Sequence, residues 1–145
     1  MSPQTPEERF SYALHNAWRM WRGALDKRMK DLGVSQAGWL AIAYTAKAEA
    51  PPSQSELAAL VQVEAATMVA TLDRLEKAGL VERVTSETDR RVKRVILTEA
   101  GTAIYNKVRH KADAMRGEIL GQIAPEKLAA ATDVLQQLQT LIENS

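Results

Sequence analysis

The sequence predicts a mainly α-helical fold with one small β-hairpin, and three observations support this prediction. Apolar residues recur every three or four positions over most of the 145 residues, as they do along one face of a helix. The region 81–97 instead carries two short alternating runs, which are typical of strands. The composition, 46% hydrophobic and 26% charged, is that of an ordinary globular protein of one domain.

Composition and charge exclude several classes of protein. The chain has no cysteine, which excludes disulfides, a thiolate nucleophile and a thiolate metal site. Its net charge of +1 excludes a generally basic protein, so any nucleic-acid surface has to be a segregated patch. We find neither a signal sequence nor an apolar run of about 18 residues. We therefore expect a cytoplasmic protein that does not interact with a membrane.

The N-terminal part predicts two helices. The first covers about 2–32, with Pro3 and Pro6 marking its start and Gly33 its end. The second begins at position 35 or 36 and ends before the prolines at 51 and 52. The first helix has one apolar stripe, formed by Phe10, Leu14, Ala17, Trp21, Leu25, Met29 and Leu32.

Two short helices joined by a tight turn are predicted in the middle of the chain. Ser53 and Glu56 form a capping-box pattern that opens a helix over 53–61. After a break at Gln62 a second helix runs over 64–78, and Gly79 stops it. This arrangement is a helix-turn-helix, and we call the second helix the recognition helix.

A hairpin follows over 81–97, which we call the wing. Val81–Val84 and Val92–Val95 alternate as strands do, and a charged turn at 86–91 separates them. A helix-turn-helix followed by such a hairpin is a winged helix. The sequence thus predicts a winged helix-turn-helix domain over 35–98.

Long helices flank this domain on both sides. Thr98 is a good N-cap for a long helix, and Pro125 starts the last one. Both carry apolar stripes, although a winged helix of about 65 residues can enclose its own core. We therefore predict that 1–34 and 99–145 form a helical dimerisation region. The alternative is that these helices pack on one another within a monomer.

The outward face of the recognition helix is small and cationic. With Met68, Leu72 and Leu75 turned inward, the outward residues are Ala66, Thr67, Ala70, Arg74 and Lys77, with Thr71 at the edge. Such a face fits the major groove, where hydroxyls, methyl groups and arginine contact base edges. The alternative is an ordinary solvated helix face.

The wing concentrates positive charge. Over 83–94 the local net charge is +3, from Arg83, Arg90, Arg91, Lys93 and Arg94 against Glu87 and Asp89. Arginine at a hairpin tip can enter a narrow minor groove while its neighbours bind phosphates. Asp89 is placed to hold the guanidinium of Arg91. The alternative is a surface ion pair of little consequence.

These residues resemble the MarR family of winged-helix transcription regulators. The runs that carry the resemblance are Leu72–Val81, Asp89-Arg90-Arg91 and Leu97–Gly101. Further similarity to the SlyA branch lies in Trp21-Arg22, Gln36, Trp39 and Arg116–Leu120.

The resemblance implies a homodimer that interlocks its first, fifth and sixth helices and binds an inverted-repeat operator in double-stranded DNA. The DNA-binding residues it implies are Ser53, Gln54, Ala66, Thr67, Ala70, Thr71, Arg74, Asp89, Arg90 and Arg91. Two positions depart from the family pattern. Ala70 replaces an arginine, and Gln62 stands where glycine is common, so the turn needs either a negative φ or some strain.

Many members of the family respond to small aromatic carboxylates. The ligand-binding positions that the resemblance implies are Arg19, Arg22, Trp39 and Ala43, although Ala43 replaces a histidine of close relatives. Cations suit the carboxylate and an aromatic side chain suits the ring. The alternative is that the tryptophan belongs to the core.

The sequence lacks the parts of an enzyme. Its two histidines, His15 and His110, have no metal-ligand spacing, and no phosphate-binding loop is present. We therefore predict no catalytic residues, no metal and no cofactor. Two hypotheses remain: a dimeric DNA-binding regulator, in the first place a repressor, or a winged-helix protein-interaction module that does not bind DNA.

Overall fold

The computed structural model describes residues 4–145, and it has the predicted fold class. Six helices and one two-stranded hairpin follow one another along the chain. They are α1 (Pro6–Met29), α2 (Gln36–Lys47), α3 (Gln54–Val61), α4 (Ala65–Lys77), β1 (Val81–Thr85), β2 (Lys93–Leu97), α5 (Glu99–Leu120) and α6 (Pro125–Glu143). A single 3-10 turn, Lys30–Leu32, extends α1. The start predicted at residues 2 and 3 lies outside the described residues.

Hydroxyl side chains cap four of these helices. The Oγ atoms of Thr5, Ser35, Ser53 and Thr98 each accept a hydrogen bond from the backbone N–H three residues later. Such caps satisfy N–H groups that the first helical turn leaves without a partner. The caps predicted at Ser53 and Thr98 are therefore confirmed, and they fix where α3 and α5 begin.

The turn between α3 and α4 is built without glycine. Gln62 has φ 64° and ψ 48°, the left-handed conformation, and its N–H donates to the carbonyl groups of Ala58 and Ala59. A side chain in this conformation costs about 1–2 kcal/mol. The structure therefore has the strained alternative, and only three residues, 62–64, separate α3 from α4.

One hydrophobic core holds the helix-turn-helix and the hairpin together. In the antiparallel hairpin Val81 pairs with Leu97 and Thr85 with Lys93. Helices α2, α3 and α4 and both strands contribute buried side chains, which are Ala41, Ile42, Leu57, Ala58, Val61, Met68, Leu72, Leu75, Val81 and Val95. Because three apolar residues of α4 are anchored here, the opposite face of α4 is presented to solvent.

The chain divides into two compact units, one ending at His110 and the other comprising Lys111–Ser145. In the second unit α6 has no buried residue, and several of its large apolar side chains are exposed: Val134, Leu135, Leu141 and Ile142. In the first unit α1 exposes Phe10, Leu14, Trp18 and Met20. The predicted stripes are therefore only partly open to solvent. Phe10 and Leu14 on α1 and Leu135 and Ile142 on α6 are exposed, whereas Met29 on α1 and Val108, Ala112 and Met115 on α5 are buried.

Within residues 4–145, no single helix is both long and apolar enough to cross a membrane. The pair α3 and α4 meets that criterion only when joined across its 108° bend, and both helices contribute to the core described above.

Candidate nucleic-acid interface

The recognition helix presents the side chains expected from the sequence. Ala66, Thr67, Arg74 and Lys77 are exposed, and Ala70 is half-buried. The side chains of Ala66, Thr67 and Ala70 are small, so the backbone of α4 can approach a partner closely. Two cations follow in the last two turns, so the face combines close approach with positive charge.

Thr71 does not belong to this face. Its side chain was expected at the edge, yet Thr71 is only 3% exposed, and its Oγ1 donates to the carbonyl oxygen of Thr67 at 2.8 Å. Each residue of an α-helix turns by about 100°, so position 71 lies beside positions 68 and 75. The buried face of α4 is therefore wider than Met68, Leu72 and Leu75 alone indicate. Thr71 therefore packs inward in this structure, and its contact with DNA stays a prediction.

Ser53 and Gln54 are also engaged within the protein. Ser53 is 8% exposed and its hydroxyl caps α3. The Oε1 atom of Gln54 accepts a hydrogen bond of 3.1 Å from Nη1 of Arg83. Both residues thus make contacts within the protein at the start of α3, and their contacts with the DNA backbone stay predictions.

Asp89 holds Arg91 at the tip of the wing, as the sequence predicts. The guanidinium donates from Nε to Oδ1 at 3.2 Å and from Nη2 to Oδ2 at 3.3 Å, and the backbone N–H of Arg91 donates to Oδ1 at 3.0 Å. Hydrogen bonds from Arg91 hold the pKa of Asp89 below its ordinary value. The hydrogen bonds to Asp89 orient the guanidinium of Arg91. Because the Arg91 side chain is 90% exposed, the guanidinium is also accessible to a binding partner. Its neighbour Arg90 is exposed as well.

The other basic residues of the wing are bound to protein groups. Arg83 pairs with Asp73 and Glu76 of the recognition helix, at 2.6 and 2.9 Å. Arg94 pairs with Glu56 of α3 at 3.1 Å, and Lys93 donates to Thr85 across the hairpin. The local charge of +3 is therefore not all directed outward, and Arg90 and Arg91 at the tip are the wing arginines without a carboxylate on another element.

Backbone contacts join the base of the wing to the start of α3. Ser53 forms an isolated antiparallel bridge with Arg94, and the N–H of Val95 donates to the carbonyl of Pro52 at 2.9 Å. Arg94 also reaches the carbonyl of Pro51 at 3.4 Å. The segment before α3 thus lies along β2 and is joined to it by this single bridge, while the sheet itself has two strands.

Arg83, Asp73 and Glu76 form one ion-pair cluster, which was not predicted from the sequence. Arg83 and Glu76 border a cleft of about 400 Å³ between α3, α4 and the wing, which is also lined by Gln54, Val69 and Lys93. The spacing of Asp73 and Glu76, three residues apart on one helix, was the available signal, since residues so spaced share a face. Their partner ten and seven positions downstream could not be identified from spacing alone.

The four predicted ligand-binding residues differ in their environment. Arg19 is exposed, whereas Trp39 and Ala43 are 3% and 9% exposed. The indole N–H of Trp39 donates to Asp26 at 3.0 Å, so this tryptophan has the satisfied environment of a core residue. Arg22 donates from Nη2 to the carbonyl of Val61 at 3.4 Å, while its buried Nε has no hydrogen-bond partner.

No group of three or more potential metal ligands occurs among residues 4–145. His15 and His110 are exposed on different helices, α1 and α5. The candidate site therefore consists of the exposed face of the recognition helix and the tip of the wing.

This geometry, a helix-turn-helix with its second helix presented to solvent beside a basic hairpin, defines a winged-helix DNA-binding fold. A family model for the MarR family matches residues 40–93. The transcriptional regulator PA3341 shares 35% identity with this chain, with a TM-score of 0.83 over 94% of this chain and 99% of that one. The chain belongs to the MarR family, whose members are transcriptional regulators that bind DNA and dimerise, and are not enzymes.

Two further structures illustrate the range of similarity. A MarR family regulator from Silicibacter pomeroyi is 28% identical, with a TM-score of 0.77 over 94% of this chain and 91% of that chain. CouR from Rhodococcus jostii RHA1, bound to p-coumaroyl-CoA, is 24% identical with a TM-score of 0.75, over 94% and 95% of the two chains, and shows the shared fold. The resemblance to the SlyA branch stays a prediction.

Proposed function

We propose that this protein is a homodimeric transcriptional repressor that binds an inverted-repeat operator in double-stranded DNA. The observation that carries the proposal is the pairing of two outward-facing elements in one subunit. The exposed small and cationic face of α4 lies beside a wing whose Arg91 is 90% exposed and held by Asp89. A helix and a basic hairpin so arranged suit adjacent major and minor grooves.

Within each half-site the residues of α4 supply the base contacts. Ala66, Thr67 and Ala70 offer methyl and hydroxyl groups for close contact with base edges, and Arg74 is placed to bond guanine. Ala70 carries no charge, so specificity rests on methyl contacts, Arg74 and DNA shape.

Around these base contacts, cations bind the sugar-phosphate backbone. On the wing Arg90 and Arg91 bind phosphates or enter the minor groove, and Asp89 fixes the fork of Arg91. Lys77, exposed at the end of α4, adds a phosphate contact. These contacts set affinity and register, while the face of α4 sets the sequence.

The dimer forms through the terminal helices, residues 1–34 and 99–145, and residues 35–98 bind DNA. Support comes from the exposed apolar side chains on α1 and α6, because apolar residues repeated along a helix face are stable only when covered. Two-fold symmetry would then place two recognition helices about one helical turn of DNA apart.

A small aromatic carboxylate is the proposed effector that releases the operator. CouR, which shares the fold, binds p-coumaroyl-CoA, a thioester of an aromatic acid, and this supports the aromatic part of the proposed effector. Arg22 is the strongest candidate to bind the carboxylate, because its buried Nε has no partner. Arg19 would add a second cation, and Trp39 and Ala43 would line the site after it opens, since both are buried.

A DNA-binding titration tests the proposal. Fluorescence anisotropy is measured with DNA flanking the gene of this protein, at two salt concentrations, with unrelated DNA of equal length as the control. We expect tight binding to the flanking DNA only, and Arg74→Ala should reduce the preference for it by about 5- to 150-fold, equivalent to about 1–3 kcal/mol. The matched variant Lys47→Ala, at the end of α2, should bind as wild type does. Equal weak binding to both DNAs, steeply weakened by salt, would instead favour the protein-interaction module.

A further inference from the structure

Arg83, on β1, makes contacts with two other elements of the DNA-binding domain. Its Nη2 donates to Oδ1 of Asp73 at 2.6 Å and to Oε1 of Glu76 at 2.9 Å, both on α4. Its Nη1 donates to Oε1 of Gln54, at the start of α3. The side chain is only 18% exposed. A single side chain thus joins the wing to both helices of the helix-turn-helix.

The backbone of Arg83 belongs to the same cluster. Its N–H donates to Oε2 of Glu76 at 3.1 Å, so one carboxylate binds both the main chain and the side chain of residue 83. Hydrogen bonds from Arg83 hold the pKa of Glu76 below its ordinary value. A carboxylate bonded at two points fixes orientation as well as distance.

The position of Arg83 in the hairpin makes its orientation matter at the tip. Arg83 pairs with Val95 at the middle of the hairpin, and Arg91 lies beyond the end of the strands. Arg91 lies four residues from Val95, and four residues of extended chain span about 13 Å, so a rotation of about 10° at Arg83 would move the tip by about 2 Å. A displacement of that size exceeds the range over which a hydrogen bond to a phosphate persists.

We propose that Arg83 is a positioning residue that sets the orientation of the wing relative to the recognition helix, without contacting DNA itself. The inference rests on the proposed function, because it assigns the wing a defined place on DNA. It also explains why two carboxylates are present on the recognition helix of a DNA-binding protein: Asp73 and Glu76 bind the wing.

A double-mutant cycle distinguishes positioning from a phosphate contact. A positioning residue acts through the wing tip, so its loss has little effect once the tip arginines are gone, whereas the losses of independent phosphate contacts add. In the operator titration we expect Arg83→Gln to weaken binding about 10-fold or more in the wild-type background and about 2-fold or less in the Arg90→Gln/Arg91→Gln background. Unchanged affinity of Arg83→Gln in the wild-type background, or the same loss in both backgrounds, would overturn the proposal.

A double variant tests the positioning role of Arg83 by removing negative charge instead of positive charge. Asp73→Asn/Glu76→Gln removes two negative charges from the recognition helix, so simple electrostatics predicts tighter binding. Positioning predicts weaker binding, because Arg83 loses its partners. Tighter binding would overturn the proposal, and this variant also serves if Arg83→Gln fails to fold.

A distance measurement tests the proposal without DNA. The chain has no cysteine, so Lys77→Cys and Glu87→Cys introduce two unique sites for spin labels, on α4 and on the turn of the wing. We expect Arg83→Gln to broaden the distribution of distances between the labels, and Arg83→Lys to restore part of the narrow distribution. An unchanged distribution would overturn the proposal even if the protein bound no operator, an outcome that separates it from failure of the proposed function.

Discussion

The carbonyl oxygen of Leu80 occupies the space that a Cβ atom on residue 101 would need. A Cβ built on Gly101 would lie closer than 3.0 Å to this oxygen, a distance that real Cβ atoms essentially never show. The same carbonyl accepts a hydrogen bond from the N–H of Thr98, and Oγ1 of Thr98 donates to the carbonyl of Gly79 at 2.6 Å. Gly101 therefore allows the first turn of α5 to pack against the turn that ends α4.

The variant Gly101→Ala should destabilise the fold by about 3 kcal/mol, because backbone on both sides of the contact has to move. Urea denaturation measures the change. The control is Gly117→Ala on the same helix, where a Cβ meets no atom within 4 Å. That substitution should be neutral or stabilise by up to about 1 kcal/mol, since alanine favours helix. Equal effects of the two substitutions would contradict the packing argument.

The left-handed turn at Gln62 provides a stabilising substitution. Gln62→Gly should raise the free energy of unfolding by about 0.5–1 kcal/mol, because glycine adopts this conformation without steric cost. The greater conformational freedom of glycine in the unfolded chain offsets part of the gain. The converse is Gly79→Ala, where φ is 77° and a loss of about 1 kcal/mol is expected. Thermal denaturation of both variants would show opposite shifts, and a destabilised Gln62→Gly would mean that the side chain compensates for its conformation.

Substitutions at the tip of the wing should weaken operator binding to different degrees. Arg91→Ala is expected to weaken operator binding by at least about 1 kcal/mol and to leave the fold and oligomeric state intact, since its side chain is 90% exposed. Asp89→Asn should have a smaller effect, because it frees the guanidinium without removing it. Anisotropy titration and circular dichroism measure the two properties. Wild-type affinity of Arg91→Ala would remove the wing tip from the proposed interface.

The ionisation of Glu76 should make the free energy of unfolding fall at acid pH. Arg83 lowers the pKa of Glu76 in the folded protein, so the stabilising contribution is complete above the ordinary glutamate pKa and is lost as the pH falls through the lowered value. Between about pH 5 and about pH 3, Glu76→Gln should therefore lose less stability than wild type. Urea denaturation across this range measures it, with Glu82→Gln, an exposed position on β1, as the control. Parallel curves for wild type and Glu76→Gln would contradict the assignment.

Sedimentation equilibrium tests the proposed dimer. Wild type should sediment as a dimer, and Leu141→Glu/Ile142→Glu should dissociate it, because these α6 side chains are 61% and 62% exposed and would be buried between subunits. Leu60→Glu provides a matched control, since Leu60 is 48% exposed on α3, outside the proposed interface. A monomeric wild type, or dissociation by the control alone, would exclude the terminal helices as the interface.

Local signals predicted most of the fold. The caps at Ser53 and Thr98, the periodicity of α4 and the alternation of Val81–Val84 each depend on neighbouring residues, and the structure confirms them. The strands extend one or two residues beyond prediction. Such ends depend on pairing across the hairpin, which a single strand does not encode.

Contacts between distant residues could not be predicted in the same way. The charge pattern identified Arg83 and Arg94 as basic residues of the wing, but their carboxylate partners lie on α4 and α3. Thr71 was placed at an edge because three inward residues do not define the full width of the buried face. The pair Asp89 and Arg91 was predicted because its partners are two residues apart.

The segment before α3 has a consequence for how the molecule behaves at high concentration. An unpaired strand edge presents free N–H and C=O groups on which strands of other molecules can add, and two-stranded sheets are particularly open to this. On β2 the N–H of Val95 is already bonded to Pro52, and Ser53 bridges Arg94. The prolines at 51 and 52 lack N–H groups to offer a further strand. One side of the hairpin is thereby closed to the addition of a strand from another molecule.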